Sequence, residues 1–275
     1  MHDRIPRVAQ HVFIVSVAAA ALFPLYYLLT NSLKGELNFA QNQWALPDTF
    51  QWSNYKQAWD AIAKPMVNTI VIVGATTLVT LLLASLSAFS FSIIRFPGYQ
   101  VLYWLTLILL MIPSFLLLLP LYLQINRLPF RGGYLSIVLP SIAATQAFSI
   151  VVLKAFFDQI PRDLIDSAQI DGAGEFAVFR HIVAPLARPV LTSVAIIQVV
   201  ALWNDYLLPQ LVLDQKYRTV SVAMVAFTAN PGQGTAPAYG ALMAGYVLSA
   251  IPMVILFSFL MRAYIEGLTS GATKL

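Results

Sequence analysis

Long stretches without charged side chains dominate the chain and predict membrane-spanning helices. Asp, Glu, Lys and Arg are absent from residues 12–30, 66–94, 96–126, 132–153 and 219–261, and residues 189–213 contain only Asp205. A helix needs about 20 apolar residues to cross the hydrocarbon core of a bilayer. We therefore expect six spans, at about residues 12–30, 67–92, 101–123, 135–157, 189–211 and 239–264.

Proline and glycine interrupt two of these stretches. The segment 230–234, Asn-Pro-Gly-Gln-Gly, and Pro237 divide the last stretch, so we expect an extramembrane loop before a single final helix. Pro113 and Pro120 lie in the third span and predict a kink or a break there. Such a break is tolerated in a bilayer where neighbouring helices satisfy the freed carbonyl groups.

The first span has two interpretations. Arg4 and Arg7 precede an apolar run that contains the small residues Ala18–Ala21, as in a secretory signal peptide. The run continues through Leu29 and is longer than a typical signal core, so we favour a helix that is retained.

Composition supports an all-α integral membrane protein that forms a single transmembrane domain over residues 1–275. Of the 275 residues, 59% are hydrophobic and only 10% are charged, and the mean hydropathy is +0.75. Such values lie far outside the usual balance of soluble domains. The chain has no Cys, its three His residues are scattered, and its net charge of +4 includes no dense basic run. We therefore expect no metal site, no cofactor in this chain and no nucleic-acid partner.

A charged, punctuated loop at about residues 158–188 separates the fourth and fifth predicted spans. Its first half, Pro161 through Gly172, predicts a short amphipathic helix that ends where glycine permits a sharp turn. Its second half, Glu175 to Ala184, predicts another helix with Phe176, Phe179, Ile182 and Val183 on one side. Two short helices joined at a glycine would form a compact knob that can seat in a groove of another protein. The alternative is a helical hairpin that lies on the bilayer surface.

The spacing of residues in this loop resembles the cytoplasmic signature loop of ATP-binding-cassette importer permeases. That signature runs Glu-Ala-Ala, three residues, Gly, nine residues, Ile, two residues, Pro. Here Asp166 takes the acidic position, Ser167 replaces the first Ala, and Gly172, Ile182 and Pro185 fall in register. The resemblance implies an ATPase-docking loop. Its docking residues would be Asp166, Ser167, Ala168, Asp171, Gly172, Ala173, Phe179, Ile182 and Pro185.

Three further segments are similar to carbohydrate-importer permeases of the maltose-transporter type, and in particular to the six-helix partner of that heterodimer. They are residues 46–55, with Asp48, Trp52 and Asn54, residues 203–209, Trp-Asn-Asp-Tyr-Leu-Leu-Pro, and residues 267–274. This similarity implies a second permease subunit, two ATPase subunits that hold ATP and magnesium, and an extracytoplasmic substrate-binding protein. It also implies an ATPase contact by the C-terminal tail through Gly267, Thr269, Ser270 and Gly271, and a binding-protein contact by the loop at about 214–237.

The resemblance also implies an orientation. The docking loop must face the cytoplasm, so both termini and the tail at 265–275 would lie there as well. The loops at about 31–64 and 214–237 would lie outside, in the cytoplasmic (inner) membrane of a bacterium or archaeon. Lys and Arg divide nine to seven between the two sides, a weak excess on the side of the termini.

Asp205 is the only carboxylate that we place inside a span, and such a group is by default a functional candidate. With Asn204 it would line a substrate path, or it would instead stabilise a break in the helix near the membrane surface. The outer aromatic residues Trp44, Trp52 and Trp59 likewise suggest sugar stacking or, more simply, an interfacial aromatic belt.

The sequence thus predicts a permease subunit of an ATP-driven importer of a sugar, an oligosaccharide or a related compound. An importer permease for another solute class is the nearest alternative. An ion-coupled secondary transporter is less well supported, because Asp205 is the one carboxylate that we place inside a span. An enzyme would need a nucleophile–base pair, paired carboxylates or a metal cluster, and no phosphate-binding loop occurs in the sequence, so ATP hydrolysis would belong to a partner.

Overall fold

The computed structural model describes the backbone of residues 7–229 and 239–272, with side-chain surroundings over residues 9–227 and 239–259. Helices account for the regular structure of these ranges, and an isolated bridge joins Gly132 to Leu213. The predicted all-α class is therefore confirmed.

The helices follow one another with short connections. In chain order they are α1 (Arg7–Ser32), α2 (Glu36–Gln41), α3 (Ser53–Phe89), α4 (Tyr99–Leu110), α5 (Leu118–Ile125), α6 (Leu135–Phe157), α7 (Arg162–Ile170), α8 (Glu175–Val178), α9 (Ala184–Leu186), α10 (Arg188–Asn204), α11 (Leu207–Val212), α12 (Val220–Ala229) and α13 (Tyr239–Ala272). Two π-helical turns, Ser90–Ile94 and Phe179–Val183, extend α3 and join α8 to α9. Two 3-10 turns, Ser114–Leu117 and Gln215–Tyr217, precede α5 and α12.

Among the described residues, four helices are long and apolar enough to cross a bilayer on their own: α1, α3 with its π turn, α6 and α13. Two bent helix pairs pass the same test of length and composition. One joins α4 to the 114–125 segment at 89°, and the other joins the 175–186 segment to α10 at 72°. The described part of the chain therefore has from four to six segments able to cross a membrane.

The interruptions of the predicted spans have local causes. The break between α4 and α5 falls at residues 111–113, because Pro113 disfavours helical backbone at the residue before it. Pro120 causes no break, since it lies in the first turn of α5, where its missing N–H costs little. The prediction of one continuous helix at 189–211 is wrong. The helix ends at Asn204, and a second helix begins at Leu207.

The predicted outer loop at 214–237 contains a helix that the sequence pattern did not predict. Val220–Ala229 forms α12, whose residues are all apolar except for one Ser and one Thr. Residues 230–237, with the proline and glycine residues on which the loop prediction was based, lie outside the described residues.

The contacts divide the chain into two compact units, each formed from two segments. One unit consists of the described parts of Met1–Lys64 and Ala223–Pro252. In it, Phe39 stacks on Tyr239 with ring centroids 4.9 Å apart, and Asn54 donates to the carbonyls of Ser32 and Lys34, both at 2.9 Å. The side chains of α1 remain uncovered over the apolar stretch, as with Phe13 and Leu22.

The other unit consists of the described parts of Pro65–Val222 and Met253–Leu275. Its larger apolar cluster joins the last turns of α3 and α6 to the loop between α6 and α10. The members of this cluster include Phe89, Phe91, Leu153, Phe157, Ile165, Val178, Val183 and Val194. A second cluster, at the middle of α3 and the first turn of α6, contains Ile72, Ile125, Ile137 and Val212. The α3–α6 pair thus has two separate apolar cores along its length.

Candidate functional site

The segment 161–186 between α6 and α10 folds into the knob that the sequence predicts. Pro161 lies directly before α7. The first N–H groups of a helix have no acceptor within it, so the missing N–H of a proline costs little there. Asp163 lies in that first turn, where a negative charge is favourable to the helix dipole. The N-terminal half of the knob is therefore a helix of nine residues with well-defined ends.

Gly172 ends α7 through a left-handed turn. Its φ is +86°. The N–H of Ala173 donates to the carbonyl of Ala168 at 2.9 Å, and that of Gly172 donates to the carbonyl of Gln169 at 3.0 Å. These two bonds are the Schellman pattern, in which the residue with positive φ is usually glycine. A Cβ at Gly172 would meet no atom within 4 Å, so the requirement for glycine is conformational rather than steric.

The second half of the knob is helical with a widened middle. Gly174 precedes α8, and the π turn Phe179–Val183 connects α8 to α9. Pro185, in α9, has no N–H to donate to the carbonyl of His181, and its ring would crowd that carbonyl in a regular α-helix. The π turn immediately before it gives this carbonyl a different direction.

The inner face of the knob is buried in the apolar cluster shared with the spans. Ile165, Val178 and Val183 are buried almost completely, and the ring of Phe179 meets that of Phe89 edge-on at a centroid distance of 5.4 Å. Because the core of the knob is also the core at the ends of α3 and α6, the knob is joined to these spans by close packing.

The predicted docking residues divide between two faces of the knob. Ala168, Ala173, Phe179 and Ile182 are half-buried and pack against the shared apolar cluster. The others lie at the exposed surface: Asp166, Ser167, Asp171, Gly172 and Pro185. The hydroxyl of Ser167 donates to the carbonyl of Asp163, so it is satisfied within its own helix.

Two apolar side chains on the outer surface were not among the predicted docking residues. Ile170 is 86% exposed, and Phe176, which was expected on the same side as Val183, is 67% exposed. Leu164 adds a further half-exposed apolar side chain. For Phe176 no signal was present in the sequence, because a helix of four residues has too little periodicity to show which side faces outward. This apolar surface is a candidate contact with another protein.

A polar network joins the base of the knob to the end of α3. The guanidinium group of Arg162 donates to the carbonyls of Ser92 and Ile93 at 2.6 and 3.3 Å, and Nε of Arg95 donates to the Ser92 carbonyl at 2.9 Å. Arg95 adopts a left-handed backbone with φ +52°. Two positive groups therefore satisfy carbonyls that the end of a helix leaves without partners.

Asp158 completes this network from the end of α6. Its carboxylate accepts from the hydroxyl of Ser92 and from the ammonium group of Lys154, both at 2.7 Å. Desolvation opposes ionisation of Asp158. The hydrogen bonds from Lys154 and Ser92 and the charges of Lys154 and Arg95 outweigh it and lower the pKa of Asp158 below its ordinary value. The base of the knob is thus held by charge as well as by apolar packing.

Asn204 and Asp205 lie at the break between α10 and α11. The amide of Asn204 donates to the carbonyl of Val200 at 2.8 Å. Asp205 has extended backbone with ψ of 126°, and its carboxylate faces the backbone N–H groups of Tyr206, Leu207 and Leu208. This arrangement stabilises the start of α11, as an acidic residue before a helix does.

The predicted tail contacts Gly267, Thr269, Ser270 and Gly271 lie in the last turns of α13, which continues to Ala272. Lys274 lies outside the described residues.

At the other end of the chain, Trp44 packs against Phe23 and Tyr27 at centroid distances of 5.9 and 5.3 Å. This aromatic side chain is therefore engaged by α1.

Comparison with known proteins gives consistent matches. The signature of the family described as "Binding-protein-dependent transport system inner membrane component" covers residues 80–269. The chain is 29% identical over 275 residues to a diacetylchitobiose uptake system permease protein of Streptomyces coelicolor, covering 99% of this chain and 90% of that protein. It is 32% identical over 263 residues to a melibiose/raffinose/stachyose import permease protein of Bacillus subtilis, covering 94% and 93%.

A solved structure matches the fold. It is that of a bacterial ABC transporter involved in the import of the acidic polysaccharide alginate. The TM-score is 0.82 at 20% identity, and the match covers 94% of this chain and 96% of the other. The residues that match the family, 80–269, include the whole knob and the helix break at Asp205.

Proposed function

The chain belongs to the family of binding-protein-dependent transport system inner membrane components, and on this basis we propose that it is a permease subunit of an ATP-driven oligosaccharide importer whose knob docks onto an ATPase. The observation that carries the proposal is the knob itself. It exposes Ile170 and Phe176 on one face and shares its buried core with the spans on the other.

The mechanism follows from this two-sided packing. An ATPase that grips the exposed face would move the knob as a body, because Ile165, Val178 and Val183 cannot slide without opening the core. The same displacement would pass to α3 and α6, whose ends Phe89 and Phe157 belong to that core. ATP and magnesium would be bound by the ATPase, and this chain would convert its movement into a change of access across the membrane.

Sugar import is supported by the relatives. The Streptomyces protein is named for the uptake of diacetylchitobiose, and the Bacillus protein for the import of melibiose, raffinose and stachyose. These compounds are short oligosaccharides, and we propose the same class for this chain. We propose no individual sugar, and an importer for another solute class is the alternative outcome of the experiment below.

We further propose the assembly and the orientation. The full importer would contain a second permease subunit, two ATPase subunits and an extracytoplasmic binding protein. The uncovered apolar length of α1 supports a surface that lipid or the second permease covers. Six spans result if each bent pair crosses once. The knob and both termini would then face the cytoplasm, with Asp166 and Gly172 toward the ATPase and the tail residues Gly267–Gly271 beside it.

Asn204 and Asp205 have a smaller role in the proposed function than the knob. They would border the substrate path at the helix break, where the carboxylate also stabilises α11. Asp205 is the one carboxylate in the predicted spans, whereas an ion-coupled carrier usually has several ionisable groups near the middle of the membrane. This favours ATP-driven transport over an ion-coupled carrier.

Reconstitution in proteoliposomes tests the proposal. We expect uptake of a labelled oligosaccharide mixture only when this chain, the second permease, the ATPase, the binding protein and ATP are all supplied. This chain alone should accumulate nothing under an imposed proton or sodium gradient. Accumulation by the isolated chain would contradict the proposal. ATP-dependent uptake of amino acids, but of no oligosaccharide, would retain the importer and reject the sugar.

A further inference from the structure

The connection between α11 and α12, residues 213–220, is fixed to the body of its unit, and we call it the strap. Its first residues lie against the loop before α6. The N–H of Asp214 donates to the carbonyl of Gly132 at 3.0 Å, and the hydroxyl of Ser136 donates to the carbonyl of Val212 at 3.2 Å. Gly132 has φ +77°, and a Cβ there would overlap the carboxylate of Asp214. The positive φ therefore favours glycine at this position, whereas the Asp214 side chain could move aside from a Cβ.

Asn68 of α3 holds the middle of the strap. Its amide nitrogen donates to the carbonyls of Lys216 and Arg218 at 3.1 and 3.0 Å. Its amide oxygen accepts from the hydroxyl of Tyr134 at 2.7 Å. Both N–H groups and the oxygen of this amide thus have partners. The side chain is only 3% exposed, so water cannot readily replace them.

Two neighbouring contacts complete the attachment. The hydroxyl of Thr69 accepts from the N–H of Val220 at 2.8 Å while it donates to the carbonyl of Pro65 at 2.9 Å. The ring of Tyr134 meets that of Tyr217 edge-on, with centroids 4.8 Å apart. Adjacent residues of α3, together with the tyrosine directly before α6, therefore bind successive residues of the strap.

The energetics favour a fixed strap. Detaching it would leave the amide of Asn68 buried without acceptors, and an unpaired buried donor is more costly than the net gain from a typical hydrogen bond. The outward residues of the strap are in contrast exposed, among them Asp214, Gln215 and Lys216. The strap therefore has a buried polar attachment and an exposed polar edge.

We infer that Asn68 and Tyr134 are positioning residues that make the strap one rigid body with α3 and α6, so that a partner bound at its exposed edge acts directly on these two spans. The inference rests on the proposed function and on the binding-protein contact that the resemblance implies for the loop at about 214–237, which would include this edge of the strap. Without the Asn68 attachment, the same contact would be absorbed by movement of the strap.

The first test measures the attachment without reference to transport. Because the chain has no Cys, a single spin label at Gln215→Cys reports the strap alone. We expect Asn68→Ala and Asn68→Asp to increase label mobility, since neither can donate to the two carbonyls. Tyr134→Phe should give a smaller increase, because Asn68 retains its donor groups. An immobile label in both Asn68 variants would overturn the inference.

Asn54→Ala is the matched control. Asn54 is also buried in α3 and also donates to two backbone carbonyls, but these belong to Ser32 and Lys34 in the other unit. Its replacement should leave the label at Gln215 unchanged. An equal response to Asn54→Ala would show general loosening of α3 and would also overturn the inference.

The second test measures coupling in the reconstituted importer as the ratio of binding-protein-stimulated to unstimulated ATP hydrolysis. We expect Asn68→Ala to lower this ratio about five- to tenfold, the factor expected for loss of one buried hydrogen-bonded group. An unchanged ratio with a mobile label would reject the coupling role. Absence of stimulation in the unmodified importer would instead reject the proposed function, and the label would still decide whether Asn68 fixes the strap.

Discussion

The knob and the strap are attached to the same pair of spans by different kinds of contact. Ile165, Val178 and Val183 bury the knob in an apolar cluster, whereas Asn68 and Thr69 hold the strap by buried hydrogen bonds. Apolar packing is non-directional and resists separation, while an amide with every group paired also fixes orientation. The knob therefore has contacts that resist separation, and the strap has contacts that also fix its direction.

The two regions also present different surfaces. The knob exposes large apolar side chains, Ile170 and Phe176. The strap exposes Gln215 and Lys216. A permanent partner suits the first kind of surface, and a partner that binds and leaves suits the second. This contrast fits a resident ATPase at one end and a cycling binding protein at the other.

The largest expected effect is all-or-none labelling of the two regions. Single cysteines at Gln215 and at Gln169, both on exposed positions, should react oppositely with a membrane-impermeant thiol reagent in intact cells. We expect the strap position to be labelled from outside and the knob position to be labelled only after the membrane is opened. The unmodified chain, which has no Cys, provides the blank. Labelling of Gln169→Cys in intact cells would invert the proposed orientation.

The next effect concerns the apolar surface of the knob. Replacing Ile170 and Phe176 together by Asp should lower copurification of the ATPase at least about tenfold, because each buried side chain of this size contributes about 1.5–3 kcal/mol. Membrane insertion should be unchanged, since neither side chain lies in the core of the knob. Leu37→Asp is the control, as Leu37 is 79% exposed on α2. Normal copurification with the double variant would remove this surface from the docking site.

The smallest effect isolates the backbone of the knob. A Cβ at Gly172 or at Gly174 would meet no atom within 4 Å, but only Gly172 has positive φ, Gly174 having φ −72°. Gly172→Ala should therefore destabilise the turn by about 1–2 kcal/mol, while Gly174→Ala should be nearly neutral. Faster amide hydrogen exchange in α7 and weaker ATPase copurification would be seen for the first variant alone. Equal behaviour of the two would show that the left-handed turn does not determine docking.

Local signals predicted much of the fold. The bounds of α6 agree with the predicted 135–157, because Gly132, Gly133 and Asp158 mark its ends. Pro113 predicted the break after α4, and Gly172 predicted the turn of the knob. In each case the residue that decides the structure lies within a few positions of the feature it determines.

Non-local contacts could not be predicted in this way. Asn68 reaches carbonyls 148 and 150 residues further along the chain, and nothing beside it in the sequence specifies that partner. The outward position of Phe176 depends on which side of α8 the shared core occupies, and a four-residue helix has too little periodicity to show this. The break after Asn204 was only one of two interpretations of Asp205, because Leu207 and Leu208 continue the apolar pattern beyond it.

The two π turns, Ser90–Ile94 and Phe179–Val183, give chain length a role in the orientation of the helices that follow them. Each accommodates one residue more than an α-helical turn, and one residue corresponds to a rotation of about 100° about a helix axis. A chain shorter by one residue at either turn would continue as regular α-helix and leave the following segment rotated by that angle. The rotation of α4 relative to α3, and that of α9 relative to α8, is therefore determined by residue number as well as by residue identity.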